Sequence, residues 1–117
     1  MDILKNKEFY RVSHVKTQQG LWYDVNGGFT GLIHSQMNFC KHNQLSMDYD
    51  ETIRGYLSAT PSLETLFEWF PKNDIIRLQE HDFFIHVFES DDYKFYERFQ
   101  HFVINQETSK LIKKITL

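Results

Sequence analysis

Cysteine occurs once in these 117 residues, proline twice and glycine five times. One thiol, Cys40, leaves no intrachain disulfide and no cysteine cage for a metal. That fits a reducing compartment. Positive charge is not in excess either: 13 Lys and Arg against 16 Asp and Glu give a net charge of −3. Sequence-independent binding of nucleic acid needs a basic face that displaces counterions from phosphates. The one basic cluster, Lys110, Lys113 and Lys114, reads as a solvated final segment. No apolar run approaches the ~18 residues of a membrane span. The first ten residues, MDILKNKEFY, lack the apolar core and small-residue cleavage site of a signal peptide. The expectation is a cytoplasmic protein with no membrane partner. No repeat, linker or low-complexity stretch interrupts the chain. At 14.1 kDa it should expose roughly 6,700 of roughly 20,000 Å² when folded, enough burial for one core and not two. Residues 1–117 are therefore read as a single globular domain.

What the chain has in excess is aromatic: 11 Phe, 6 Tyr and 2 Trp, 16% of the residues. Their spacing predicts the elements. Residues 8–15, EFYRVSHV, alternate, with Phe9, Arg11, Ser13 and Val15 on one face, which predicts a strand. Asn26-Gly27-Gly28 lies between two aromatic-rich runs and tolerates the positive φ of a tight hairpin turn. Tyr56, Leu57 and Ser58 form a short strand. Thr60 is the expected N-cap of a helix, with Pro61 in its first turn. Leu63, Leu66, Phe67 and Phe70 make one apolar stripe, and Pro71 stops the helix. Asn73 or Asp74 caps a second short helix running to about Glu80, with Ile75, Ile76 and Leu78 buried. FFIHVFE, residues 83–89, reads as a strand covered on both faces. Residues 100–105 and the segment carrying Leu111, Ile112 and Ile115 supply two more strands. Strands, a helix pair and strands again predict an α+β domain. Its mainly antiparallel twisted sheet carries two or three short helices.

Most chemical motifs are absent. No HExxH or comparable histidine spacing occurs, and no resident metal is expected. Asp48, Asp50 and Glu51 do not continue into a calcium loop, because Ile53 and Ala59 stand where Gly and Glu are needed. Asp92-Tyr93-Lys94 matches half of a metal-dependent nuclease site and equally an acidic turn. Cys40 has no nucleophile signature around it and reads as a buried thiol.

One order of features spans about 100 residues. A strand carrying Tyr10 and Arg11 precedes a glycine-containing aromatic segment. YLSATPSLETLFEWF then runs from a hydroxyl-bearing strand into a helix, and QHFVINQETSKLIKKI closes the chain. This order resembles the ADP-ribosyltransferase superfamily, including its small RES-type members. The resemblance implies NAD as co-substrate, contacted by Arg11 on the first strand. It implies a nicotinamide pocket walled by Ser58 and Thr60, with Tyr10, Tyr23 and Tyr56 beside it. A late-strand Glu or Gln would orient the ribose. Gln100 or His101 stands at that place on the strand, and Glu107 is the nearest carboxylate. The alternative, from a different class, is a non-enzymatic binding protein that uses an exposed aromatic patch to engage a protein or small ligand. A cleft where Arg11, Ser58 and Gln100 or Glu107 converge separates the two.

Overall fold

A computed structural model describes residues 7–47 and 50–117. The chain exposes 6669 Å², in line with its size. Among the described residues six antiparallel strands form two three-stranded sheets rather than the one sheet expected. In the first sheet β1 (Lys7–His14) and β6 (Lys110–Ile115) flank β3 (Phe83–Ser90). In the second, β2 (Tyr56–Ala59) and β4 (Tyr93–Tyr96) flank β5 (His101–Asn105). Two helices, α1 (Leu63–Trp69) and α2 (Lys72–Gln79), complete an α+β architecture.

The register of β1 on β3 sorts the side chains. Phe9 opposes Phe88, Arg11 opposes His86 and Val12 opposes Ile85. Because the side-chain period is two, Val12 and Ile85 share one face, and Phe9, Arg11, His86 and Phe88 share the other. The first face is covered by the helices through Leu66, Phe70, Ile75 and Leu78, together with Leu21, Trp22 and Ile33. The second face meets the other sheet: Phe9 and Phe88 pack with Ala59 and Ile104. The phenylalanines of FFIHVFE are buried for this reason, although Phe84 is half-exposed beneath Lys114.

One backbone bridge links the two sheets among the described residues. The Tyr10 and Thr60 amides each donate to the other's carbonyl at 2.8 Å. Beyond that bridge β1 and β2 diverge. In an antiparallel pair, alternate residues turn their backbone groups toward opposite neighbours. Thr60 turns toward β1, so Ser58, two residues earlier, also presents its carbonyl to the opening gap.

Thr60 thus bridges sheets and does not cap the helix. Its hydroxyl lies 3.1 Å from the carbonyls of Tyr10 and Ser62. The N-cap is Ser62, whose Oγ accepts from the Thr65 amide, so Pro61 precedes the first turn. Pro71 occupies the N-cap position of α2, displacing Asn73 and Asp74 into its first turn. Ile76 is 46% exposed, against expectation, because the buried stripe of α2 is Ile75 and Leu78. The expected hairpin reduces to one bridge, Tyr23 to Phe29. Asp24 closes it: its carboxylate accepts the amides of Asn26 and Gly28, and Gly27 sits at φ 84°.

Candidate functional site

The gap between the sheets is a cavity of about 390 Å³. Arg11 reaches it from β1, and Tyr56 and Ser58 from β2. His101 reaches it from β5, Tyr96 from β4, and Trp22 and Tyr23 from the loop after β1. Glu107 lies in the turn after β5. A second space of about 70 Å³ adjoins it; Arg11, Ser58, Trp22 and His101 line both, and Tyr10 and Thr60 line only the smaller.

Arg11 is 6% exposed. Its Nη1 donates to the Ser58 carbonyl at 2.8 Å and its Nη2 to the Gln18 carbonyl at 3.0 Å. The first bond follows from the split: Ser58 has lost its ladder partner, and the guanidinium replaces it. Gln18 holds a left-handed φ of 63°, and its side chain accepts from the Ser13 hydroxyl at 2.9 Å. Among the described residues no carboxylate pairs with Arg11. Burial alone depresses its pKa to about 10, which leaves it charged at neutral pH. The two bonds use two of its five N–H donors, and Nε has no partner. A buried cation is costly to leave uncompensated. This one borders an open space.

His101 faces Ser58 diagonally on the same side of the second sheet, since Ser58 is registered with Val103. The Ser58 Oγ lies 3.0 Å from Nε2 of His101, and Nδ1 lies 3.3 Å from the Phe99 carbonyl. A carbonyl only accepts, so Nδ1 carries the proton and Ser58 donates to Nε2. Trp69, Tyr96 and Phe99 surround the imidazole, with centroids 5.6, 5.7 and 6.2 Å away. Desolvation among these rings lowers the His101 pKa, which favours the neutral ring. Part of the aromatic excess is therefore a box around one histidine.

The remaining residues frame the mouth. The Tyr96 hydroxyl donates to Asp50 at 2.7 Å. Bonds from the Thr52 hydroxyl, Tyr96 and the Thr52 amide bring the Asp50 carboxyl down to about 2. That ties the segment after residue 49 to β4. Asn105 Oδ1 accepts the amides of Glu107 and Thr108, which fixes the turn carrying Glu107.

Of the residues expected at a site, Arg11, Tyr23, Tyr56, Ser58, His101 and Glu107 line the larger cavity. Gln100 does not. It ends a 3-10 turn at φ 55°, and its side-chain Nε2 donates to the Glu97 carbonyl at 2.6 Å. The strand begins one residue later, so His101 and not Gln100 faces the cavity. Gln18, Asp50, Tyr96 and Phe99 were not foreseen. Nothing local marks them, because each is placed by a left-handed residue, a loop or a short strand. Asp92, half of the nuclease motif, accepts from Tyr56 and Asn105 at 2.9 and 2.8 Å and holds strands together. Among the described residues no group of His, Cys, Asp and Glu is arranged to hold a metal, and no helix is long and apolar enough to cross a membrane. No family model, no curated protein and no solved structure matches the chain.

Proposed function

We propose that the cleft binds NAD, or a related nucleotide, and that the domain works as a small ADP-ribosyltransferase-like module. The observation that carries this reading is Arg11, a buried cation with no carboxylate partner among the described residues, on the wall of a 390 Å³ cavity. Pockets of this size accept small-molecule ligands. An anionic ligand would compensate the charge, and the dinucleotide pyrophosphate is such a group. Tyr23, Tyr56 and Tyr96 offer ring faces for stacking against the flat nicotinamide.

Cleavage of the nicotinamide–ribose bond develops positive charge on the ribose, as in glycoside chemistry. Glu107, one of three carboxylates lining the cavity with Asp24 and Asp50, would stabilise it. Its place in a turn held by Asn105 suits it to approach a ligand from the rim. The alternative of an exposed aromatic patch has weaker support. The most exposed aromatics, Phe29 and Phe95, pack edge-on against Tyr23 and Phe102 of their own chain.

Calorimetric titration with NAD tests the proposal. The wild type should release heat at a stoichiometry of one. Arg11→Lys, which keeps the charge and loses the planar fork, should weaken binding at least about tenfold. Absence of heat from a folded wild type overturns the proposal.

A further inference from the structure

We propose that Ser58 is itself a modification site: its hydroxyl takes ADP-ribose from NAD held in the cleft, and His101 receives its proton. The inference rests on the NAD reading above and adds the acceptor. Three features of the geometry carry it. Ser58 is exposed to the cavity, and its Oγ donates to Nε2 of His101 at 3.0 Å. His101 is 4% exposed, and its Nδ1 is held by the Phe99 carbonyl, which fixes the tautomer with a free lone pair on Nε2. The Ser58 backbone is anchored by Arg11 at 2.8 Å, so the hydroxyl keeps a set position beside the cation assigned to the pyrophosphate. A nucleophile, a base within hydrogen-bond reach and a group that orients the base are the parts of an activated serine.

The late-strand position holds an imidazole where a Glu or Gln was expected. A carboxylate there would supply charge but is a weak base, with an ordinary pKa near 4.3. A neutral imidazole supplies no charge and can take a whole proton. That shifts the role of the position from steadying the ribose to activating Ser58. In the step, the Ser58 Oγ–C1′ bond forms as the C1′–N bond to nicotinamide breaks. The bonding pair leaves with the ring, which departs as neutral nicotinamide. The hydroxyl proton passes to Nε2 of His101. The product is an O-linked ADP-ribosyl-Ser58 that fills the cleft, so each chain modifies itself once and then stops.

The purified chain is incubated with NAD, weighed by intact-mass spectrometry and mapped by peptide fragmentation, with calorimetric NAD binding measured in parallel. The wild type should bind NAD and gain one ADP-ribose at Ser58. Ser58→Ala, at an exposed position, should gain none at any NAD concentration that saturates it. His101→Gln should bind NAD and form the adduct ~10²–10⁴-fold more slowly, whereas a merely structural role for His101 would reduce binding and adduct together. A wild type that binds NAD without gaining mass overturns this inference alone, as does an adduct that maps elsewhere and survives Ser58→Ala. A wild type that binds no NAD overturns the NAD reading as well.

Discussion

Arg11 Nη1 and the Ser58 carbonyl meet at 2.8 Å across the line where the two sheets part. The bond makes one side chain both a structural clamp and the charged wall of a cavity. Arg11→Met removes the charge and leaves the Ser58 and Gln18 carbonyls without their donor. Each unsatisfied carbonyl costs about 1–3 kcal/mol, and release of a desolvated cation offsets part of that. The expected outcome in urea titration is a net loss of about 1–4 kcal/mol with the two-state transition kept. A more stable variant would show that the desolvation cost of Arg11 exceeds the value of its two bonds.

Ser62→Ala should cost about 1 kcal/mol, because the Thr65 amide loses the hydroxyl that caps it. Thr60→Ser keeps the hydroxyl and should change stability by less. Thermal denaturation of both variants checks the assignment of the cap, and a Ser62→Ala midpoint equal to that of the wild type would take the cap away from Ser62.

Those two residues show where the sequence was legible. The stripe Leu63, Leu66, Phe67, Phe70 is a property of neighbours, so α1 could be placed from spacing. The alternation of residues 8–15 and the apolar run 83–89 placed β1 and β3 in the same way. Choosing between Thr60 and Ser62 was not a local matter, because Thr60 is held by Tyr10, fifty residues earlier. The same reason hid the division into two sheets, which depends on a single bridge between distant strands. Arg11 and Ser58, named from the sequence, both line the cavity, while the choice between Gln100 and His101 turned on one left-handed residue. β4 was missed because none of its four residues is buried and they follow an acidic turn.

His86 makes stability depend on pH. Burial chiefly, then the charges of Arg11 and Lys114, depress its folded pKa from 6.5 to about 4. The unfolded chain therefore binds more protons between pH 6.5 and 4. Stability is full above pH 6.5 and falls as pH drops toward 4, by up to about 3 kcal/mol from this group. His101 is shifted in the same direction by burial and adds to the slope. Urea midpoints measured from pH 7.5 to 4 should fall steadily for the wild type and less steeply for His86→Gln. Equal slopes would remove His86 from the account.

Cys40 is 3% exposed, and burial, with Asp74 nearby, raises its thiol to about 12. The thiolate is the reactive form. Labelling with iodoacetamide at pH 8 should therefore be at least about a hundredfold slower in the native chain than in urea. Rapid native labelling would mean that the core around Cys40 opens readily.

Both sheets are organised around strands made late. β3 and β5, the central strands, begin at residues 83 and 101, so β1 has no partner until about 70 residues after it has been assembled. Its register closes His14 onto Phe83 and Lys7 onto Ser90. Contacts of such sequence separation form slowly, because a long loop must be closed before any pairing is gained. On a ribosome the first two-thirds of the chain would emerge with Phe9, Val12 and Trp22 still seeking their neighbours. The architecture that draws Arg11, Ser58 and His101 into one cleft thus also delays it: the cleft closes only when β5, the fifth of six described strands, pairs with β2.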